Sequence, residues 1–411
     1  MSITETKHCR VCGDKHLEKV LDLGVQALTG VFPKSRDEKI TEGPLQLLYC
    51  HNCGLLQLAH SYDLGEMYGD NYGYRSGLNK SMADHLSAKI KGLSSRYGLQ
   101  ENEVVLDIGS NDGTSLNAYD TPGVIKVGMD PTGKKFSQYY NPDIRLVTDF
   151  FSASKFLDAS ENKKAKIVTS ISMFYDLASP IDFAREVESI LADDGVWHLE
   201  QSYMPTMLKQ CAYDTVCHEH VEYYSLSVIK YITEHAGLRI IDVSMNDING
   251  GSFAVTVAKK GSNHKANNVV IELLLQQEQA MKLNTIDPYN SFAARTAAHK
   301  EDFTNALRLM REQGAKVYGY GASTKGNVIL QYCGVTEKEI IAIAEVNTDK
   351  FGAFTPKTLI PIISENEVKK MNADFLIVFP WHFRNNILAK ERKYSECGGK
   401  FIFPLPFIEV V

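Results

Sequence analysis

The stretch Cys217-His218-Glu219-His220-Val221-Glu222-Tyr223-Tyr224-Ser225 sets two imidazoles, two carboxylates, a thiol and two phenols side by side. Burying such groups without partners costs roughly 2–7 kcal/mol each, so they face water or face one another around a ligand. Three readings are open: a solvated turn, a metal site and an acid/base cluster. A turn would carry Gly, Ser, Lys and Asn rather than paired aromatics and histidines. His218, Glu219 and His220 have metal-ligand chemistry, but alternate residues on a strand or loop need another ligand from elsewhere to close a shell. The acid/base reading is preferred, because an imidazole that titrates near neutrality can take a proton from a reacting group.

A second group is built for metal. Cys9-x-x-Cys12 and Cys50-x-x-Cys53 are two thiolate knuckles, followed by Gly13 and Gly54, which let the backbone turn under an ion. Four sulfur ligands make a closed tetrahedral zinc site with no position left for water or substrate. Zinc there would be structural, folding a small module with little core of its own. The alternative is two pairs of reduced cysteines; His8 and His51 are spare ligands. Further on, Tyr68-Gly-Asp70-Asn71-Tyr72-Gly-Tyr74-Arg75-Ser76 places three tyrosines between glycines, a pattern that suits the cover of a cleft rather than one helix face.

The composition narrows the class. With 411 residues, 44% hydrophobic and 23% charged, the chain is expected to form two or three ordinary globular domains. A formal net charge of −6 argues against nonspecific nucleic-acid binding, which needs a basic face. The sequence shows neither an apolar signal core nor an apolar run long enough to span a membrane, so a cytoplasmic location without membrane contact is expected. The eight cysteines then read as ligands or isolated thiols rather than disulfides.

Residues 104–260 supply the frame. Strand patterns at Val104–Ile108, Lys126–Asp130, Arg145–Thr148, Lys166–Ser170 and Val196–Glu200 alternate with helical ones, which predicts a doubly wound, mainly parallel sheet. Its first turn reads Asp107-Ile-Gly109-Ser-Asn111-Asp112-Gly113 before a helix. Glycines there admit a ligand to the backbone, and Asp130 at the end of the second strand can accept bonds from a ribose diol. A dinucleotide fingerprint has three glycines; here the spacing is G-x-x-x-G, and Asp107 and Asp112 would repel a pyrophosphate. They suit a cationic ligand such as S-adenosylmethionine, for which Phe150 is a further candidate contact. Arg239–Val243 and Ser252–Ala258, joined through Asn249-Gly250-Gly251, read as an antiparallel hairpin that looks like the closing pair of a class I methyltransferase sheet. The His-Glu-His stretch falls after the strand ending at Glu200, at the carboxyl edge where open α/β sheets bind ligands.

Residues 268–314 read as packing helices. A second strand-turn-helix follows at Lys316-Val-Tyr-Gly319-Tyr-Gly321-Ala-Ser323-Thr324-Lys325-Gly326-Asn327, where helix-start amides with Ser323, Thr324 and Lys325 would favour a phosphate or diphosphate; a plain helix cap is the alternative. Runs at 340–346, 374–380 and 401–404 complete a second small α/β domain. The expected architecture is therefore α/β with three parts: a zinc-binding module at 1–75, a central class I, Rossmann-like domain at 76–265 and a C-terminal Rossmann-like nucleotide-sugar-binding domain at 266–411.

The order of these motifs, ending in Gly-Tyr-Gly-Ala-Ser-x-Lys-Gly-Asn, resembles over nearly the whole chain the nucleotide-sugar C-methyltransferases of deoxysugar biosynthesis. That resemblance implies S-adenosylmethionine-dependent methylation of a ring carbon beside the C4 ketone of an NDP-4-keto-6-deoxysugar, dTDP- or GDP-linked, usually at C3 and in some members at C5. It implies His220 as the base and Glu219 as the acid before it. Independently of the resemblance, the enolate oxygen would need donors, for which His218, tyrosine hydroxyls or water are candidates. A tyrosine commonly stands where this chain has Cys217, and Tyr72, Tyr74, Tyr223 or Tyr224 could substitute for its phenol. Candidate cofactor contacts are Asp107, Gly109, Asn111, Asp112, Gly113, Asp130 and Phe150. Candidate substrate contacts are Asn249, Gly250, Ser323, Lys325 and Asn327. A monomer or weak homo-oligomer is expected. The competing functions are a sugar O-methyltransferase and a zinc scaffold with a degenerate methyltransferase domain.

Overall fold

Strict alternation along Glu42–Cys50 buries Leu45, Leu47 and Tyr49 on one face, and this strand pairs antiparallel with Leu17–Ala27 on one side and Leu56–Leu58 on the other. The computed structural model describes residues 3–67 and 74–411; Tyr72 lies outside them. The fourth strand of this N-terminal sheet comes from far along the chain: Glu222–Tyr223 adds antiparallel to Leu56–Leu58, with Glu222 opposite Gln57 and Tyr223 opposite Leu56. The sheet's apolar face has no private core. Leu45, Leu47, Leu56 and Leu58 join one cluster with Tyr289 and Phe292 of the helix Asp287–Glu312 and with Val328 and Phe379 of the C-terminal part.

The central sheet has seven strands in the order Leu238–Asn246, Ser252–Lys259, Leu191–Ser202, Ala165–Ile171, Val104–Ile108, Ile125–Met129 and Ile144–Val147. Only Ser252–Lys259 runs antiparallel to its neighbours, so the sheet closes with the hairpin that the sequence predicts. Val104–Ile108 is buried at every position, as a parallel strand covered on both faces must be. Strand order reverses between Val104–Ile108 and Ala165–Ile171, which opens a crevice at their carboxyl ends. The helix Leu226–His235 begins on Ser225, whose hydroxyl accepts from the Val228 amide. Ile271 and Leu274 of the helix Asn268–Ala280 pack into the core of this central sheet.

A second parallel sheet follows, ordered Ile362–Ser364, Ile343–Glu345, Val317–Tyr320, Phe375–Val378 and Lys400–Phe403, with Glu409–Val410 antiparallel at the edge. The helix Thr324–Cys333 leaves its first strand through Gly321, at φ 85°, and lies close on the neighbouring loop: a Cβ at Gly326 would stand 2.8 Å from that of Phe379. Among the described residues no helix is long and apolar enough to cross a membrane.

Asn327 ties this second sheet to the N-terminal one. Its buried side chain donates from Nδ2 to the Thr29 carbonyl at 2.8 Å. Asn327→Ala should leave that buried carbonyl unpaired and lower stability by about 1–3 kcal/mol in urea titration. A change of a few tenths would mean that the tie is not holding the two parts together.

Candidate active site

At the carboxyl edge of the central sheet the glycine turn is formed as expected, with Gly109, Asn111 and Gly113 all at positive φ. A Cβ at Gly109 would press within 3.0 Å of Met173, so glycine is required there for the approach of the neighbouring loop. Asp130 accepts from the Asn111 amide at 2.8 Å and from the Thr132 amide at 2.6 Å, which fixes its carboxylate at the end of the second strand. Asp107 behaves differently from expectation. Its carboxyl is turned inward, accepting from the Thr169 hydroxyl at 2.5 Å, and burial pushes its pKa up to about 7. Asp112 is held at the same turn, accepting from the Thr114 hydroxyl at 2.6 Å and lying 3.5 Å from Arg75 Nε. Phe150, beyond the third strand, leaves about half its ring surface exposed.

The backbone around residues 74–78 clasps the same turn. The Ser76 amide donates to Asn111 Oδ1 at 3.0 Å, the Gly77 amide to Asp112 Oδ2 at 2.9 Å, and Asn111 Nδ2 donates to the Tyr74 carbonyl at 3.2 Å. The Tyr74 side chain is exposed. These residues supply a glycine turn, a fixed acid, amide dipoles and an exposed aromatic ring, a set that fits S-adenosylmethionine.

The His-Glu-His stretch is held from three sides. Leu58 donates to the Val221 carbonyl at 2.9 Å, Val221 donates to the Tyr175 carbonyl at 3.0 Å, and Met204 donates to the Tyr224 carbonyl at 3.0 Å. His218 faces the N-terminal module: its buried ring meets Tyr62 edge-on at 4.6 Å near Gln26 and Gly43, and burial lowers its pKa to about 4. Glu219 reaches the seam between parts. Its Oε2 lies 3.5 Å from the Thr29 hydroxyl, and a Cβ at Gly30 would stand 2.5 Å from its Oε1 and 3.8 Å from Thr324 Oγ1. Burial raises its pKa.

His220 donates from Nδ1 to the Thr215 carbonyl at 3.2 Å, which leaves Nε2 as the nitrogen with the lone pair. Its ring packs on Tyr175 at 4.3 Å. Burial first, then the charge of Lys325, bring its pKa down to about 4, against the opposing pull of the Thr215 carbonyl. Titration near neutrality is the expectation from sequence; burial overturns that, so at neutral pH the ring is the free base.

Beside it is a cavity of about 10 Å³, room for one water, lined by His220, Tyr175, Ser202, Thr215, Glu222 and Tyr223 among others. Glu222 was not singled out by sequence. Burial pushes its pKa up to about 8, opposed by the Tyr224 hydroxyl, which donates to Oε2, and by the charge of Arg10. Tyr224 stacks on Phe174 at 5.4 Å and is fully enclosed, so its phenol serves Glu222.

The C-terminal part closes the other wall. Lys325 donates from Nζ to the Asn249 carbonyl at 2.8 Å, and Gly250 lies against Trp381 and His382. Buried Asp214 accepts from Trp381 Nε1 at 2.8 Å. Asn249, Gly250 and Lys325 thus meet in one place. Ser323 caps its helix, accepting from the Gly326 amide at 3.0 Å, and Asn327 is spent on Thr29. Asp214, Trp381 and His382 escaped the sequence reading; the one available signal was that Trp381 and His382 follow a strand at the carboxyl edge of the second sheet.

The four cysteine sulfurs lie within 4.8 Å of one another, with Cys9 and Cys53 at 3.5 Å and Cys12 and Cys50 at 3.5 Å. Tetrahedral zinc with bonds of about 2.3 Å would need sulfurs about 3.8 Å apart, so the donor set and its spacing fit that ion. His51 is not a fifth candidate, since it pairs with Glu18 at 2.8 Å.

Comparison with known proteins matches three family models in succession: a zinc binding domain over residues 9–68, a methyltransferase domain over 78–243 and a C-methyltransferase C-terminal domain over 247–406. The C-methyltransferase NovU of Streptomyces niveus is 29% identical over 406 residues, covering 98% of this chain and 96% of that protein. Among solved structures, a methyltransferase complexed with the Trm112 activator of Haloferax volcanii is 17% identical with a TM-score of 0.36, covering 44% of this chain and 94% of its own. An S-adenosylmethionine-dependent methyltransferase of Clostridium acetobutylicum is 15% identical with a TM-score of 0.33, covering 43% and 92%.

The raised pKa of Glu222 has a signed consequence for stability. Its folded value of about 8 exceeds the unfolded value of 4.5, so its contribution is fully present below pH 4.5 and is lost as pH rises through 8. Glu222→Gln should therefore gain on the native protein between pH 5 and 8.5, by at most about 1.4 kcal/mol per pH unit. Thermal melts over that range check this; a difference that does not change with pH would contradict it.

Proposed function

Because the chain belongs to the S-adenosylmethionine-dependent C-methyltransferases that join a zinc binding domain to methyltransferase and C-methyltransferase C-terminal domains, we propose that it methylates a ring carbon of a nucleotide-linked 4-keto-6-deoxysugar, at C3. The observation that carries this reading is the meeting of a neutral imidazole from the central domain with Lys325 and Asn249 at the carboxyl edge of that domain's sheet. Carbon beside a ketone becomes nucleophilic only after a proton leaves; an O-methyltransferase also needs a base, for its hydroxyl, but no enolate oxygen forms there for a cation beside the base to meet.

His220 takes the proton on Nε2 while the Thr215 carbonyl holds the opposite N–H and fixes the ring. The low pKa keeps the ring unprotonated at neutral pH, the form that can accept. Glu219 positions the sugar, since among the described residues it shares no hydrogen bond with the imidazole and lies at the seam of Thr29, Gly30 and Thr324. S-adenosylmethionine, when bound, supplies an electrophilic methyl group. Asn111, Asp112, Asp130 and Phe150 would hold it in the glycine turn. Zinc on Cys9, Cys12, Cys50 and Cys53 would be structural and would act on catalysis through the N-terminal sheet, into which Glu222–Tyr223 is paired.

His220→Ala should lose methyl transfer and α-proton exchange by about 10²- to 10⁴-fold and keep affinity for S-adenosylmethionine, as read by calorimetry. In the native enzyme kcat/KM should fall only as pH drops toward about 4, the value for His220. Unchanged turnover in the variant, or an acid limb near pH 6.5, would remove His220 as the base. Metal analysis should find one zinc per chain. Chelation or Cys50→Ser should lower the melting temperature and kcat while leaving cofactor affinity in the surviving folded protein; a metal-free protein of unchanged stability would contradict the zinc site.

A further inference from the structure

Buried Asp214 and half-buried Lys325 and His382 come together where the two Rossmann-like parts meet, and each keeps hydrogen-bonding capacity unspent. Lys325 Nζ shows one bond, to the Asn249 carbonyl. Asp214 is fully buried, yet its Oδ1 accepts nothing among the described residues, and His382 Nδ1 is likewise unpartnered. Polar groups this enclosed are normally satisfied, so their free atoms mark a place for a ligand. Burial first, then the charge of Lys325, lowers the pKa of both His220 and His382; burial lowers that of Lys325 as well, opposed by the charges of Asp214 and Cys217. Geometry joins the base to this cluster: His220 Nδ1 bonds the carbonyl of Thr215, the residue after Asp214, and the helix Thr324–Cys333 that carries Lys325 packs against the Tyr213–Thr215 turn.

The sequence suggested Lys325 for a diphosphate. The surroundings argue otherwise. A diphosphate carries at least two negative charges and would be brought against the buried carboxyl of Asp214, with Lys325 beside it and the second lysine of the turn, Lys350, already donating to the Ala322 carbonyl at 2.7 Å. A developing oxyanion carries one charge at most, and the oxygen of an enolate lies only two bonds from the carbon that gives its proton to the base. A cation adjoining the base is where such an oxygen must be met.

Resting on the C-methylation reading, we propose that Lys325 is a catalytic residue that stabilises the enolate oxygen of the keto sugar, with Asp214 and His382 holding neighbouring sugar hydroxyls. In the step it assists, the α-carbon–hydrogen bond breaks and the proton passes to His220 Nε2. The freed pair forms the carbon–carbon double bond, and the carbonyl π pair moves onto oxygen, where the ammonium donates to it.

The test uses the full chain as native protein, Lys325→Met and Lys325→Arg, with dTDP-4-keto-6-deoxyglucose or its GDP counterpart as the sugar and the free nucleoside diphosphate as the binding probe. Lys325→Met should slow deuterium exchange at the α-carbon of saturating sugar by about 10²- to 10³-fold. Its affinity for the nucleoside diphosphate should stay within about threefold, and Lys325→Arg should recover part of the exchange. The His220 ring signal in NMR should titrate at higher pH in Lys325→Met, because a positive charge has gone. The proposal is overturned if that variant exchanges normally, if it loses nucleoside diphosphate affinity about tenfold while bound sugar still exchanges, or if His220 titrates unchanged. Failure of the underlying reading looks different: native protein would then exchange neither sugar.

Discussion

The geometry of the site depends on one short strand addition. Glu222–Tyr223 pairs with Leu56–Leu58, and that pairing holds the residues just before it, His218 to Val221, against the N-terminal module. The module in turn is pinned at its cysteine knuckle. Arg10, between Cys9 and Cys12, donates to the Leu58 carbonyl at 2.8 Å and from its own amide to Gln57 at 3.0 Å. A path of covalent and hydrogen bonds thus runs from the sulfur cluster through Leu56–Leu58 to the imidazole at 220. Backbone pairing is suited to this work because a strand of fixed register cannot slip by one residue without sending its side chains to the opposite face.

Burial is the second device. The three parts together enclose His220, Glu219, Glu222, Asp214 and Lys325, and in every case desolvation is the largest influence on the pKa. Burial favours neutral forms: it keeps the imidazole free to accept, keeps Glu222 protonated, and leaves Lys325 beside partners that restore part of its charge. A site so enclosed strengthens every electrostatic interaction within it, which is the condition under which one ammonium can matter to an enolate. The N-terminal module keeps only a small cluster of its own, Leu28, Val31, Tyr62 and Met67, since the apolar face of its sheet is used to cover the other parts.

Much of this frame is legible in the sequence. The cysteine knuckles, the alternation from Val104 to Glu200, the terminal hairpin and the second strand-turn-helix all follow from local spacing and periodicity. What escapes is whatever depends on contacts between distant segments. A two-residue strand such as Glu222–Tyr223 has no periodicity to detect, and its partner lies far earlier in the chain. His218 and His220 look equivalent in sequence, and only the sheet decides that one faces Tyr62 and the other Tyr175. Ser323 and Asn327 sit in a motif that reads as ligand-binding, but their side chains are used as a helix cap and as a tie to Thr29. Asp107 reads as a charge facing the ligand until the neighbouring strand places Thr169 opposite it.

The central claim is that the transferred methyl group ends on carbon. Supplying S-adenosylmethionine with a ¹³C-labelled methyl group together with a uniformly ¹³C-labelled keto sugar nucleotide tests it in a single NMR spectrum of the product. A methyl signal split by a one-bond carbon–carbon coupling to the sugar ring is the predicted result. A methyl signal without that coupling, as an O-methyl ether would give, contradicts the account.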